Sequence, residues 1–256
     1  MIENVQIADF SGVYEEENLG SRLREAFPGL LVKTVSLSDI EGSQCYCDPD
    51  AETMILDRMP PFPGGGFHVR FVDSGDYHYM SCLALQDKYE PFALLLLDNH
   101  SDMQQPMIGD VLSCGGWVRT LALRNPNMRK VLSIGPSGKC TLYGPGLEPW
   151  HDEPLSEAVS FTVHNCGGDL PVFISIDKDV LREADASTNW DQGNMTLSTM
   201  ETILQAAFSS GVRVLGADIC GEKPSSKGGH SHDHEINANT NIKIINILSY
   251  LTETKD

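Results

Sequence analysis

Phe92-Ala93-Leu94-Leu95-Leu96-Leu97 is six apolar residues in a row, too short for a membrane span and without polar alternation. A run of this kind reads as a strand buried on both faces, the condition of a parallel sheet covered by helices. Val5 to Phe10, Leu31 to Val35, Phe67 to Val72, Lys130 to Ile134, Pro171 to Ile176 and Val212 to Ala217 are further strand candidates. Between them, Asn18 to Phe27, His78 to Leu85, Trp117 to Arg124, Leu197 to Gly211 and Asn237 to Thr254 carry apolar residues at helical spacing. This alternation predicts an α/β fold of three layers, α/β/α, around a mainly parallel sheet with right-handed crossovers. Ligand sites in such sheets open at the carboxyl ends of the strands. No long linker and no internal repeat divides residues 1–256, which read as one domain. Gly42 to Gly66 and Ser137 to Leu170 are irregular and are expected to form loops with short elements around the sheet's rim.

With 41% hydrophobic residues in 256, the chain can bury a sizeable core. Its 36 acidic against 18 basic side chains, a net charge of −18, repel phosphate backbones and anionic lipid. Nucleic acid and membrane surfaces are thereby disfavoured as partners, and cations, metal ions among them, are favoured. Seven cysteines at irregular spacing do not describe a disulfide framework and suit a reducing cytoplasm. The first ten residues lack a basic region followed by an apolar run, so no export is expected.

The strand at Leu97 runs into Asp98-Asn99-His100-Ser101-Asp102. Residues two apart on extended chain share a face, so Asp98, His100 and Asp102 are expected to converge just past the strand end. Val172-Phe173-Ile174-Ser175-Ile176-Asp177-Lys178-Asp179 repeats the device with Asp177 and Asp179. Four carboxylates in one pocket need raised pKa values or bound cations, and two divalent ions would neutralise them. A third piece, Gly75-Asp76-Tyr77-His78, follows the strand Phe67 to Val72 and places His78 at a helix start.

In this order the three pieces resemble the Gly-Asp-His, Asp-x-His-x-Asp and Ser-x-Asp-x-Asp motifs of the arginase/agmatinase/formiminoglutamase (ureohydrolase) family, with an extra tyrosine before His78. The resemblance implies an arginase/deacetylase-like fold and a two-metal site in which Asp98 and Asp177 bridge the ions. His78 and Asp102 would complete one shell, His100 and Asp179 the other. This oxygen- and imidazole-rich set points to two Mn²⁺ per chain, with Zn²⁺, Fe²⁺ and Co²⁺ also compatible. The implied activity is hydrolysis of a non-peptide C–N bond in a linear amidine or guanidino compound by a hydroxide bridging the metals, with Asp102 assisting proton transfer and Asp98 and Asp177 catalytic as the metal bridges. The implied partner is a small cationic guanidino, amidino or amine substrate, and self-association is left open.

The chain also departs from the family. Asp218-Ile219-Cys220-Gly221-Glu222-Lys223-Pro224 has Gly221 where arginases place a guanidinium-binding glutamate, and Glu222 stands one residue later. Either recognition has moved, or a local shift brings Glu222 in. Ser113-Cys114-Gly115-Gly116-Trp117 lacks the histidine that serves arginases as proton shuttle. Trp190 and Asp191 precede a predicted helix, where they read either as contacts to a cationic substrate or as a turn. Gly229-His230-Ser231-His232-Asp233-His234 is expected to be a mobile loop, Cys45-x-Cys47 lacks a second pair, and Gly64-Gly65-Gly66 reads as a turn. Two alternatives stand beside the ureohydrolase reading: a deacetylase-type amide hydrolase on the same fold, and a catalytically silent metal binder.

Overall fold

The computed structural model describes residues 2–59, 66–106 and 109–253. The strands are β1 (Ile2–Asp9), β2 (Leu31–Ser36), β3 (Tyr46–Cys47), β4 (Phe67–Phe71), β5 (Phe92–Leu97), β6 (Leu112–Ser113), β7 (Met128–Ile134), β8 (Lys139–Tyr143), β9 (Pro149–Pro154), β10 (Val172–Asp177) and β11 (Val214–Cys220). The helices are α1 (Val13–Glu16), α2 (Leu19–Ala26), α3 (Pro49–Arg58), α4 (Met80–Leu85), α5 (Trp117–Arg124), α6 (Ala158–Cys166), α7 (Leu197–Ser209) and α8 (Ser231–Glu253). Nine strands form one sheet in the order β2-β1-β4-β11-β10-β5-β7-β8-β9, and β3 and β6 form a separate two-stranded ladder. Within the nine-stranded sheet, pairing is parallel from β2 through β7 and antiparallel at β7-β8-β9. The expected α/β architecture with a mainly parallel sheet is what the chain adopts.

Every residue of β4, β5 and β10 is buried, as continuous apolar runs require when both faces are covered. Alternate side chains feed two cores: Leu95, Leu97, Ile174 and Ile176 pack on one face, Leu94, Leu96 and Phe173 on the other. Among the described residues, no helix is long and apolar enough to cross a membrane.

The irregular stretches hold more order than expected. Helix α3 lies inside the first; Asp48 caps it by accepting from the Ala51 amide at 2.8 Å, and Pro49 opens its first turn. The second holds β8, β9 and α6, where weak apolar periodicity on an antiparallel edge concealed the elements. Helix α8 starts at Ser231, not Asn237, so the histidine tract is no loop. Asp233, in its first turn, accepts from the His230 amide at 2.9 Å, a helix-start device the histidines masked. His230 and His232 are exposed, while His234 is buried with Nε2 3.3 Å from Glu16. The turn expected at Gly64-Gly65-Gly66 lies for the most part outside the described residues.

Candidate metal centre

The central order β4-β11-β10-β5 brings four strand ends side by side. Ile176 pairs with Leu97, so Asp177 and Asp98 leave adjacent strands together; Asp177 itself pairs with Cys220. Beyond β4, the turn Gly75–Tyr77 absorbs the extra tyrosine and delivers His78 to the same point. Gly75 has to be glycine: a Cβ there would stand 2.7 Å from the Trp190 ring and 3.0 Å from Asp177 Oδ2.

The six residues expected to hold metal all meet at this point. His78 Nδ1 lies 3.0 Å from Asp102 Oδ2, 3.3 Å from Asp98 Oδ2 and 3.6 Å from Asp177 Oδ2. His100 Nδ1 lies 2.8 Å from Asp179 Oδ2 and 3.6 Å from Asp98 Oδ1. Asp98 thus faces both imidazoles. Ligands at roughly 2.0–2.2 Å from one ion stand about 3–3.5 Å from each other, and the separations here, from 2.8 to 3.6 Å, scatter about that span. His78 Nδ1 and Asp98 Oδ2 are buried without a hydrogen-bond partner, a costly arrangement for an empty polar cluster and the normal one for a metal shell. The residues therefore fit divalent-cation binding.

Neighbouring groups fix the orientation of the cluster. Backbone amides of His100, Asp179 and Asn99 donate to Asp98 Oδ1, Asp177 Oδ1 and Asp179 Oδ1 at 2.6, 2.9 and 2.9 Å. Trp117 Nε1 donates to Asp102 Oδ2 at 2.6 Å, and Asp102 holds a left-handed φ of 52°. His78 Nε2 is 2.8 Å from Ser175 Oγ, which reaches Ser81 and through it Asp218 beside Arg70. The serine of the Ser-x-Asp-x-Asp motif thereby leaves Nδ1 as the outward donor of His78.

Burial, reinforced by Asp179 and Asp98, pushes the Asp177 carboxyl up to about 7. Burial and the Asp98 charge push Asp179 up to about 6. Hydrogen bonds to Asp179 and Asp98 lift His100 to about 11.

A cavity of about 280 Å³ opens over the carboxylates, bounded on its other sides by Tyr46, Gln104, Ser113, Cys114 and Trp190. Trp190 stands edge-on to His100 at 5.8 Å, with Nε1 donating to the buried Asp76. Asp191 is exposed and outside the lining; its backbone carbonyl accepts from Asn99 Nδ2. Glu222 is not in the lining either. It is fully buried, its Oε1 2.5 Å from Lys178 Nζ and 2.9 Å from Asn241 Nδ2, with Glu17 alongside. Gly221 has a φ of 94°, and a Cβ would meet Asp177 Oδ1 at 2.5 Å, so this backbone accepts no glutamate in its place. Tyr77 stacks on Phe10 and Tyr79 donates to the Ser43 carbonyl, both as core groups.

Cys220 escaped the sequence reading. Its Sγ lies 3.2 Å from Asp177 Oδ2 and it is fully buried. The signal was available: Cys220 closes a strand that pairs with the strand of Asp177, and only the pairing was unknown. Cys45, opposite Cys114 at the end of the β3-β6 ladder, also joins the cavity wall.

No family profile matches the sequence. Over 219 residues it is 29% identical to an uncharacterized protein of Thermotoga maritima, covering 86% of this chain and 80% of that one. Among solved structures, it superposes on proclavaminate amidino hydrolase of Streptomyces clavuligerus with a TM-score of 0.62 at 14% identity, covering 98% and 92% of the two chains. Trypanosoma cruzi formiminoglutamase with Mn²⁺ gives 0.62 at 14% identity over 98% and 94%. Bacillus caldovelox arginase gives 0.59 at 11% over 94% and 97%. The resemblance read from three short motifs thus holds for the whole architecture, and the chain has the fold of the ureohydrolases in a divergent sequence.

Proposed function

We propose that the protein is a metal-dependent hydrolase of the ureohydrolase type, cleaving a non-peptide C–N bond in a linear amidine or guanidino compound. The observation that supports it most is the convergence of His78, Asp98, His100, Asp102, Asp177 and Asp179, with His78 Nδ1 and Asp98 Oδ2 buried without a hydrogen-bond partner. In this reading these six residues would hold the cations, His78 and Asp102 on one side, His100 and Asp179 on the other, with Asp98 and Asp177 shared between them. Mn²⁺ is the first choice, since a solved structure of this fold is a Mn²⁺ complex. Such a pair supplies Lewis acidity and makes water acidic enough to attack at neutral pH.

The chain's own residues supply the remainder. Asp102, held by Trp117, keeps an oxygen beside the cluster to accept a proton and pass it to the departing nitrogen. The Trp190 ring borders the cavity and offers a surface for a cationic or planar group, while Gln104 and Ser113 offer hydrogen bonds. With Gly221 in the glutamate's place, recognition of the substrate's polar end rests on these groups. The cavity's volume suits a small molecule. Seven free cysteines fit a reducing cytoplasm.

Purified protein loaded with Mn²⁺ is to be assayed for release of urea, formamide, ammonia or acetate from guanidino, formimino and acetylated amine compounds. Two ions per chain with turnover of a guanidino or formimino compound support the proposal. Acetate release with one Zn²⁺ instead identifies a deacetylase. Two ions without any turnover identify a silent metal binder, the reading that the lack of a histidine in Ser113 to Trp117 keeps open.

A further inference from the structure

The donor set at the strand ends includes a sulfur atom. The β10-β11 register sets Cys220 directly against Asp177, and its Sγ approaches Asp177 Oδ2 at 3.2 Å. His78, Asp177 and Cys220 each turn one donor atom to a common point, all within 4.8 Å of one another. A second observation marks that point as a ligand position: His78 Nδ1 is buried there without a hydrogen-bond partner, while Nε2 is engaged by Ser175. Bonds of about 2.3 Å to sulfur and 2.0–2.2 Å to nitrogen or oxygen give neighbouring donors spacings of about 3–3.6 Å. The Cys220–Asp177 distance of 3.2 Å and the His78–Asp177 distance of 3.6 Å fall in that span.

We propose that Cys220 is a ligand of the cation held by His78, so that the two metal positions differ chemically. One is a nitrogen, oxygen and sulfur site selective for borderline-soft ions such as Zn²⁺, Co²⁺ or Fe²⁺. The other, at His100 and Asp179, offers nitrogen and oxygen alone and suits Mn²⁺. Binding replaces the thiol hydrogen with the cation and releases one proton to solvent, with no change of oxidation state. This inference rests on the metal centre under Proposed function and would make it heterometallic instead of a Mn²⁺ pair.

The full chain, stripped with chelator, is to be titrated anaerobically with Co²⁺, following the near-ultraviolet sulfur-to-cobalt charge-transfer absorption together with bound cobalt. The expected result is a band that grows with one equivalent per chain and is absent from Cys220→Ser and Cys220→Ala, folded by circular dichroism and still binding cobalt. The double variant Cys45→Ser/Cys114→Ser keeps the band, which excludes the two cavity thiols as its source. Zn²⁺ affinity in Cys220→Ser falls by at least the roughly 10–100-fold that loss of an outer partner costs, while Mn²⁺ affinity changes less. Two cobalt ions bound to the wild-type chain without the band overturn the sulfur ligand and leave the metal centre standing. A band that survives in Cys220→Ser also overturns it. No cobalt bound at all overturns both.

Discussion

Replacing Lys178 with methionine tests whether Glu222 is a structural partner or a group for substrate. Lys178 and Glu222 form a fully buried ion pair, Nζ to Oε1 at 2.5 Å, and Asn241 Oδ1 accepts from the same ammonium at 3.0 Å. Glu17 lies beside them, its carboxyl held well above the ordinary range by burial and then by the Glu222 charge. The cluster thus sets one lysine against two glutamates, and burial with the Glu222 charge biases Glu17 toward its protonated form. Lys178→Met leaves the carboxylate with no counter-charge, which costs about 3–5 kcal/mol. At roughly 2–4 °C per kcal/mol for a chain of this length, the melting temperature falls by roughly 6–20 °C. Glu222→Gln should cost less, about 1–3 kcal/mol, because Glu17 is free to ionise and take over the pairing. Urea unfolding of both variants at pH 7, in chelator so that the neighbouring Asp177 and Asp179 carry no metal, gives the two losses. Wild-type stability in Lys178→Met refutes the argument, as does a larger loss in Glu222→Gln than in Lys178→Met. Loss of turnover in Glu222→Gln with unchanged stability would return Glu222 to the substrate.

Asp98→Ala and Asp177→Ala should each lower metal stoichiometry below two per chain, since each removes a bridge of the proposed centre; two ions retained in either variant, by elemental analysis, refute the assignment. Gly221→Ala forces a non-glycine residue to a φ of 94° and a Cβ to 2.5 Å from Asp177 Oδ1, so it should lose about 1–3 kcal/mol and weaken metal binding. Equal Mn²⁺ affinity in calorimetry speaks against that crowding. In metal-free protein, Asp177 near 7 and Asp179 near 6 bind protons more tightly than the unfolded chain does. Their contribution is complete below the unfolded value near 3.8 and is lost as pH rises through 6 and 7. The melting temperature in chelator should therefore fall between pH 5 and 8, and a rise over that range is the refuting result. Mn²⁺ at about 100 times its dissociation constant adds about 2.7 kcal/mol per site.

Strands were legible wherever burial on both faces left nothing polar in the run, as in Leu94 to Leu97. The edge strands β8 and β9 were not, because Lys139, Trp150 and Asp152 belong to a solvent-facing antiparallel hairpin whose order comes from its neighbour. The six clustered residues were readable from local spacing because each trio or pair shares one strand end. Cys220 and Trp117 were not: one depends on which strand lies next to β10, the other on a tertiary hydrogen bond to Asp102. Glu222 stayed ambiguous because its partners, Lys178 and Asn241, lie 44 and 19 residues away in sequence, and only the tertiary fold turns it into the interior and away from the cavity.

The cluster is assembled by pairings between remote segments: Asp98 meets Asp177 only when β5 lies against β10, and His78 reaches them only when β11 is seated between β4 and β10. A slip of one residue in any of these would turn a carboxylate to the opposite face of the sheet. Half-formed chains thus offer a cation at most the local trio Asp98, His100 and Asp102 or the pair Asp177 and Asp179, without a complete shell, so metal uptake would report the finished topology. In a cell, ion supply would then act as quality control, prolonging the life of correctly threaded chains and leaving mispaired ones to proteolysis.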